Sequence, residues 1–355
     1  MFFRSDPFSY VRDARRPAVL ALTSDGFIGD VRIRPFLNAL LARGVIGDYQ
    51  VADRSMAMAG PLKSYAFTHI WCQRSVSTAQ FKFLKRHAQV PIIYDVDDLI
   101  TSIPDFVMRA KRRTRARIDW CLQHARAVTV ATERLGASLR EDAPALPGEI
   151  VLLPNGCASA TPPAQRAPRK QIIWTSSDLP FFLDGYPNFM PDFAALANRN
   201  DYEVVLIGRF GGTLAARFDR CRRISYLDFA SYREFLQSCA GAIGIAPLPT
   251  RLPAAAQRYF DAKSDIKLVD FLSCGLVPVC SRAVPYAQSS LFLPSLAAAD
   301  ANELLQRLEM CIADHARMVE YVNETIHAPG LLRPREFSEL SKALDHLVGS
   351  TEPNA

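Results

Sequence analysis

Short apolar runs alternate with longer amphipathic stretches along the first half of the chain. The apolar runs predict strands at residues 17–22, 68–72, 92–94, 127–130 and 150–153. Apolar positions recur with helical spacing at residues 34–42 and 79–88, which predicts helices there. Strands that alternate with helices are typical of βαβ units and of a parallel sheet covered on both faces. The first half is therefore predicted to form one Rossmann-like α/β domain.

The same alternation resumes after a segment that lacks apolar periodicity. This segment, PNGCASATPPAQRAPRKQ at residues 154–171, is rich in proline, alanine and polar residues and is predicted to be an interdomain linker. Strands are then predicted at 171–174, 202–207, 242–246 and 277–280, and helices at 232–239, 265–274, 301–313 and 335–348. We expect a first domain over residues 1–157, a second Rossmann-like domain over 158–334, and a terminal helix within 335–355 that packs back on the first domain.

Composition supports this organisation and limits where the protein acts. At 355 residues, with 49% hydrophobic and 22% charged positions, the chain is long enough for two domains that each bury a core. Its eight scattered cysteines include no Cys-x-x-Cys pair, which favours reduced core thiols over disulfides or a zinc site. The sequence shows neither a signal peptide nor an apolar run of about 18 residues. We expect a cytoplasmic protein, at most peripheral at the inner face of a membrane.

The net charge of +6 is concentrated in stretches such as KRRTRAR, which begins at Lys111 and ends at Arg117. Such charge suits phosphate-bearing partners, namely nucleotides, anionic lipid head groups or nucleic acid. The run is either a solvated helix face or a patch that contacts a membrane surface. Nucleic acid is not an expected partner, because no helix-turn-helix, zinc or RNA-binding aromatic signature accompanies the run. An NAD-linked dehydrogenase is not expected either, since no G-x-G-x-x-G follows the first strand.

The stretch SDIKLVDFLSCGLVPVC, residues 264–280, places charges on an otherwise apolar helical pattern. If Ser264 is the N-cap, Lys267 lies in the first turn, where a cation opposes the helix macrodipole unless an anion sits beside it. Phosphate is the natural anion at such a position, although Asp265 could offset the charge locally. Asp270 shares a face with Lys267 and could accept hydrogen bonds from sugar hydroxyls. A nucleotide-phosphate site and an ordinary amphipathic helix both remain open on these grounds.

This stretch resembles the donor-site signature of the GT-B glycosyltransferases, in particular their large retaining group, whose pattern runs S-x-x-K-L-x-E-Y-x-A-x-G-x-P-V. Lys267, Asp270, Gly275 and Pro278 fall on the lysine, glutamate, glycine and proline of that pattern. Other segments are similar to family segments in the same order, namely VTVATERLGASL, VLLPNG, YEVVLIG and AIGIAPL. The resemblance covers about residues 65–285. It implies a GT-B fold, in which two Rossmann-like domains face a central cleft.

The resemblance also implies a function. A glycosyltransferase of this group moves a sugar from a nucleotide-sugar donor, bound by the second domain, to a glycan or lipid-linked acceptor, bound by the first. A role in bacterial cell-surface polysaccharide synthesis, with retention of configuration, is what the resemblance implies for this chain. The nucleotide sugar is a co-substrate, and neither a metal nor another cofactor is expected. The implied donor-binding residues are Ser176, Ser177, Gly208, Arg209, Lys267 and Asp270.

The implied catalytic residues lie in YDVDDLI, residues 94–100. The family usually has a histidine and an aspartate at this strand end, and Asp97 and Asp98 fall on these two positions, across the expected cleft from Lys267. A carboxylate there can act as a general base or stabilise an oxocarbenium-like centre, so inversion becomes possible beside retention. Alternatively, Asp98 caps a following helix.

Two further interpretations stay open. Asp95, Val96 and Asp97 form a D-x-D, which is how metal-dependent GT-A glycosyltransferases hold a divalent cation against the donor. Many members of the resembling group carry two glutamates eight positions apart, and here the positions hold Ala262 and Asp270. This departure allows a second alternative, a catalytically inactive GT-B-like scaffold or binding protein.

Overall fold

The computed structural model folds the chain into two α/β units. The described residues are 8–10, 16–24, 26–53, 65–74, 76–104, 112–161, 167–176, 189–210 and 212–349. The first unit consists of Met1–Asn155, Ala262–Ser264 and Phe337–Ala355, and the second consists of Gly156–Asp261 and Asp265–Glu336. The first unit is therefore assembled from three separate stretches of sequence.

The first unit is built on a parallel sheet. Its described strands are β1 (Phe8–Tyr10), β2 (Ala18–Leu22), β3 (Asp48–Ala52), β4 (Tyr65–Phe67), β5 (His69–Gln73), β6 (Ile92–Val96), β7 (Ala127–Val130) and β8 (Glu149–Leu152). Six of these described strands pair in the order β3-β2-β5-β6-β7-β8, and β1 pairs separately with β4. Its helices are α1 (Gly26–Arg32), α2 (Arg34–Ala42), α3 (Thr78–Arg86), α4 (Arg112–His124) and α5 (Glu133–Asp142).

The order of these strands reverses between β2 and β5. Both neighbours are buried apolar runs, AVLAL and HIWCQ, as expected for strands covered on both faces by helices. Ligands of open parallel sheets gather outside the carboxyl ends of the strands at such a reversal. The residues that follow β2 and β5 therefore occupy the favoured ligand position of this unit.

The second unit has the strand order of dinucleotide-binding Rossmann domains. The described strands β9 (Gln171–Ser176), β10 (Glu203–Gly208), β11 (Cys221–Ile224), β12 (Ile243–Ala246), β13 (Val277–Ser281) and β14 (Ala297–Ala298) pair in parallel as β11-β10-β9-β12-β13-β14. Its helices are α6 (Phe189–Arg199), α7 (Gly212–Ala215), α8 (Phe229–Ser238), α9 (Ala254–Asp261), α10 (Ile266–Ser273), α11 (Val284–Ala287), α12 (Ala301–Ala313) and α13 (His315–Val322). A π-helical turn, Asn323–His327, follows α13. The order reverses between β9 and β12, so the favoured ligand position lies just past these two strands.

The C-terminal segment packs on the first unit as several short pieces. These pieces are α14 (Phe337–Leu340), a 3-10 turn at Ser341–Leu344 and α15 (Asp345–Gly349), and a 3-10 turn at Arg333–Arg335 precedes them in the second unit. The ring of Phe337 meets Phe36 of α2 edge-on, with centroids 5.1 Å apart. The single continuous helix predicted over 335–348 is therefore wrong, because the extended backbone of Glu336 separates the turn that ends at Arg335 from the helical turns that begin at Phe337.

Each unit has its own apolar core, in which the thiols are spread. All eight cysteines lie within the described ranges, none is in a disulfide, and seven are buried. Among the described residues, no helix is both long and apolar enough to cross a membrane.

Candidate functional site

Helix α10 carries the lysine that the sequence singles out. The helix begins at Ile266, and its N-cap position is Asp265 rather than the predicted Ser264. The Asp265 side chain makes no capping hydrogen bond, because its carboxylate is paired with Arg335 and accepts a hydrogen bond from Ser289 Oγ at 2.5 Å. The interpretation in which Asp265 offsets the lysine is therefore wrong, since its charge is already balanced elsewhere.

Lys267 occupies the first turn of α10 as a half-buried cation. Its Nζ lies 5.6 Å from the centroid of the Tyr232 ring, and no carboxylate among the described residues forms an ion pair with it. Burial lowers the pKa of this ammonium group, and the nearby Asp270 acts in the opposite direction. A partly desolvated cation next to free backbone N–H groups is well placed to bind an anion.

Asp270 is turned toward the interior of the second unit. It is 4% exposed, and its carboxylate accepts hydrogen bonds from Tyr232 OH at 3.2 Å and from Arg233 Nη1 at 3.3 Å. The same guanidinium donates to Ser273 Oγ at 2.8 Å. Burial and the Asp270 charge raise the pKa of Tyr232 well above 10, so the phenol stays neutral. Asp270 thus fixes the ring that faces Lys267, and its contact with sugar hydroxyls stays a prediction.

The carboxyl ends of β9 and β10 bring two other predicted residues together. Gly208 is paired with Ser176 in the parallel register. Gly208 has φ +122°, and a Cβ atom at this position would lie 2.1 Å from the Ser176 carbonyl oxygen. Only glycine fits here, because both the backbone conformation and the close approach exclude a side chain. Arg209 follows with an exposed side chain, and Ser177 lies outside the described residues.

Asp97 and Asp98 follow β6 in the first unit, and both carboxylates converge on Arg74. Arg74 directly follows β5 and donates through Nε and Nη2 to the two oxygens of Asp97, the Nη2 contact being 2.6 Å long. Arg74 Nη2 also donates to Asp98 Oδ2 at 2.7 Å, and Lys263 Nζ lies 3.2 Å from Asp98 Oδ1. The four side chains form one cluster with two charges of each sign.

The two carboxyl groups of this cluster have different proton affinities. Burial raises the pKa of Asp97 above its ordinary value, with Arg74 opposing and Asp98 reinforcing the shift. Burial also acts to raise the pKa of Asp98, but Lys263 and Arg74 outweigh it, so the net shift is downward. Pairs of titratable groups whose pKa values are driven apart are typical of acid–base sites.

The helix-capping interpretation of Asp98 is wrong for a structural reason. Within residues 97–104, which follow β6 and are described, no helix begins, so Asp98 has no helix terminus to cap. Its carboxylate is used by Arg74 and Lys263 instead.

Asp95 belongs to a separate, fully buried network. Its carboxylate pairs with Arg32 through Nε at 3.3 Å and Nη2 at 2.7 Å, and Thr129 Oγ1 donates to it at 2.7 Å. Both oxygens are therefore occupied, and the side chain is 0% exposed. Asp95 could join Asp97 around a cation, as the D-x-D interpretation requires, only by leaving this ion pair. Among the described residues, no group of three or more His, Cys, Asp or Glu side chains is arranged to hold a metal ion.

Two arginines of the basic run serve the fold of the first unit. Arg115 binds Asp119 and the carbonyl of Thr101, and Arg117 donates to Val76 O at 3.1 Å and Thr78 Oγ1 at 2.7 Å. Arg113 is exposed, and Lys111 lies outside the described residues. The membrane contact predicted for this run stays a prediction.

The predicted residues are thus divided between the two units, and the structure adds four side chains to those it describes. Sequence reasoning missed Arg74, Lys263, Tyr232 and Arg233. The only signal for Arg74 was its place just past a predicted strand end, which draws attention to ligand positions without giving a partner.

Solved structures of low sequence identity share the fold of this chain. HepE from Anabaena, in complex with UDP and glucose, is 13% identical with a TM-score of 0.58 and covers 93% of this chain and 99% of its own. Sucrose-phosphate synthase from Thermosynechococcus elongatus is 15% identical, with a TM-score of 0.56, and the match covers 92% of this chain and 100% of the synthase chain. T4 phage BGT, in complex with its UDP-glucose substrate, is 8% identical, with a TM-score of 0.55, and the match covers 93% of this chain and 99% of the BGT chain. No protein-family model and no curated protein matches the sequence. The fold is GT-B, with two Rossmann-like domains.

Proposed function

We propose that this protein is a glycosyltransferase that moves a sugar from a nucleotide-sugar donor to a glycan or lipid-linked acceptor. The observation that carries the proposal is Lys267, a half-buried cation in the first turn of α10 that has no carboxylate partner among the described residues. A nucleoside diphosphate is the leaving group of such a transfer, and a preorganised cation stabilises the charge that develops on it.

Other residues predicted for the donor site in the second unit also fit a bound nucleotide. Gly208 allows the carboxyl ends of β10 and β9 to approach each other closely, and Arg209 adds an exposed cation directly after it. Ser176 ends the neighbouring strand β9, beside the strand-order reversal where ligands of such sheets bind. In this proposal Lys267 and Arg209 bind the diphosphate, and Asp270 keeps Tyr232 and α10 in place while accepting a ribose or sugar hydroxyl. UDP or UDP-glucose in two of the compared structures supports a nucleotide sugar as the donor class.

Asp97 and Asp98 are the groups that we assign to the transfer itself. They lie past a strand end of the first unit, held by Arg74 and Lys263 in a partly buried cluster. An ionised carboxylate beside the anomeric carbon stabilises an oxocarbenium-like centre. We propose retention of configuration, because the donor segment resembles the retaining group, and a role in bacterial cell-surface polysaccharide synthesis. An inverted product would instead assign removal of the acceptor proton to Asp97.

A panel of nucleotide sugars tests the proposal. Purified protein is screened with UDP-, GDP- and dTDP-sugars by thermal shift, and a ligand at a hundred times its Kd should stabilise the fold by about 2.7 kcal/mol. The donor that binds is then incubated with candidate acceptors with and without EDTA, and proton NMR reports the anomeric configuration of the product. Turnover that persists in EDTA supports a metal-independent transfer. Failure of every nucleotide sugar to bind would overturn the proposal and favour a scaffold protein.

A further inference from the structure

Arg74 has a backbone conformation that arginine rarely adopts. Its φ is +49°, in the left-handed region that L residues with a Cβ atom occupy at a cost. Two hydrogen bonds hold this conformation, one from the Arg74 amide to the Asp95 carbonyl at 2.9 Å and one from Tyr94 OH to the Arg74 carbonyl at 2.8 Å. Tyr94 is itself fully buried. The turn after β5 is therefore fixed on both sides by β6, the strand that leads to Asp97.

This conformation sends the guanidinium across to the end of β6. There the planar group contacts Asp97 with two nitrogens and Asp98 with one of the same two, which only an arginine can do. The exposed fraction of the Arg74 side chain is 24%, against 13% for Asp97 and 21% for Asp98. The cluster is therefore partly shielded from water, where charge–charge interactions are stronger than on an open surface.

Two adjacent carboxylates in such surroundings repel each other, and one of them tends to bind a proton. Among the residues that the structure describes, the charged groups that act most on Asp97 are Arg74, Asp98 and Asp95, and those that act most on Asp98 are Lys263 and Arg74. Asp95 is already neutralised by Arg32. Of the two carboxylates in the cluster, Lys263 forms an ion pair with Asp98. In the described part of the chain, Arg74 is thus the cation that contacts Asp97 and that bridges Asp97 and Asp98.

We propose that Arg74 is a positioning residue that holds Asp97 and Asp98 side by side for glycosyl transfer and favours their ionised forms. This inference rests on the proposed function, and it adds the cation that opposes protonation of Asp97. Arg74 does not itself touch the reacting atoms in this proposal. It acts through Asp97.

Two substitutions separate the charge of Arg74 from its shape. Arg74→Asn removes the cation and keeps a residue that tolerates positive φ, so the turn after β5 can still form. Arg74→Lys keeps the charge but cannot donate two parallel hydrogen bonds. Arg34→Gln is the matched control, because Arg34 forms a surface ion pair with Asp30 in the same unit.

The pH profile of turnover is the main measurement. Removing a cation raises the pKa of a neighbouring carboxyl group, so the acid limb of kcat should move to higher pH by at least about one unit in Arg74→Asn. Arg74→Lys should lie between Arg74→Asn and the wild type, and Arg34→Gln should match the wild type. Donor affinity should stay within about twofold, because the donor site is in the second unit. A uniform loss of kcat at every pH with an unmoved acid limb would show that Arg74 is only structural.

A second readout does not depend on activity. Protein labelled with carbon-13 at the aspartate carboxyl groups allows the titration of Asp97 to be followed by NMR in the wild type and in Arg74→Asn. An alkaline shift of this titration supports the inference, and an unchanged titration overturns it. If no nucleotide sugar is bound or turned over by the wild type, the proposed function fails while the titration still reports on Arg74.

Discussion

At the scale of single residues, Lys267 is the most informative position in the second unit. Its charge opposes the macrodipole of α10 and is not balanced by Asp265, which pairs with Arg335. Such an arrangement is mildly unfavourable for the isolated protein and becomes favourable when an anion binds. The proposed donor site accounts for this placement, because the diphosphate of a nucleotide sugar is such an anion.

Lys267→Ala should weaken binding of the nucleotide-sugar donor at least tenfold, which corresponds to about 1.4 kcal/mol. The fold should persist, because the side chain is half-buried and forms no ion pair with the described residues. Calorimetric titration with the donor identified by thermal shift measures the effect. Lys170→Ala is the control, since Lys170 is an exposed lysine of the same unit. Equal affinities of Lys267→Ala and the wild type would remove Lys267 from the donor site.

Asp97→Asn should lower kcat at least a hundredfold with little change in donor affinity, the pattern expected when only the transition state loses stabilisation. The asparagine keeps an oxygen for Arg74 and loses the charge. Steady-state and single-turnover rates measure the effect, and Asp119→Asn, at a surface ion pair with Arg115, serves as the control. Near-normal turnover in Asp97→Asn would give Asp97 a purely structural role.

Only part of this residue-level chemistry can be predicted from the sequence. Lys267 could be found because its charge conflicts with a local rule of helix formation. Arg74 and Lys263 could not, since their partners lie 23 and 165 positions away and no local pattern encodes such contacts. The internal role of Asp270 was missed for the same reason, because Arg233 is 37 positions away.

At the scale of elements, strand β5 connects the core of the first unit to its candidate site. The strand begins at buried His69 and ends at buried Gln73, directly before Arg74. His69 Nδ1 lies 2.8 Å from Thr68 Oγ1, and its Nε2 is buried without a hydrogen-bond partner. The ring is therefore neutral in the folded protein. Burial, with Arg126 contributing, lowers the pKa of His69 to about 4.

This neutral histidine should make the stability of the first unit depend on pH. As the pH falls through about 6.5, His69 gains a proton in the unfolded chain but not in the folded one, so stability that is fully present above 6.5 is lost toward pH 4. The expected loss from this residue is about 3 kcal/mol. Urea unfolding at pH 7 and pH 4 should show a smaller difference in His69→Gln than in the wild type. The same pH dependence in both proteins would contradict the pKa shift of His69.

The sequence predicted the buried central strands better than the half-exposed strands at the sheet edges. The central strands β2, β5, β6, β9 and β12 are fully or almost fully buried apolar runs, and the sequence predicted all of them. The strands β3 and β11 stand at sheet edges, mix exposed and half-buried residues, and were missed. The terminal helix was placed too early because the Arg335 carbonyl accepts a hydrogen bond from the Cys157 amide and Glu336 binds the Ala160 amide. These tertiary contacts outweigh helix propensity there.

At the scale of the whole molecule, the first unit is completed by the end of the chain. Four buried residues of the C-terminal segment belong to the core that contains Phe36 and Trp71, namely Phe337, Leu344, Leu347 and Val348. Arg43 of the same unit also binds Asp345 and donates to Ser341 Oγ at 3.0 Å. The segment therefore covers an apolar face that the rest of the first unit would leave exposed to solvent.

Truncation after Glu336 should unfold the first unit while the second keeps its structure. Burial of each of the four apolar side chains contributes roughly 1.5–3 kcal/mol, and their sum is comparable to the whole stability of a typical domain. Hydrogen exchange monitored by mass spectrometry would show loss of protection in β2 and β5 with β9 and β12 still protected. In the full chain, Phe337→Ala should cost about 3–5 kcal/mol, whereas Lys342→Ala, at an exposed ion pair, should be nearly neutral. Unaltered protection of β2 and β5 in the truncated chain would contradict this dependence.

The discontinuity of the first unit also affects how the protein is made. A ribosome completes Asn155 long before Phe337, and at about 5–20 residues per second the interval is on the order of ten to forty seconds. At the end of this interval all strands and helices of the second unit have been synthesised, while the first unit still exposes the apolar face around Phe36. The order of synthesis and the order of folding are therefore opposite, and nascent chains that stall before residue 337 are the ones that chaperones should capture.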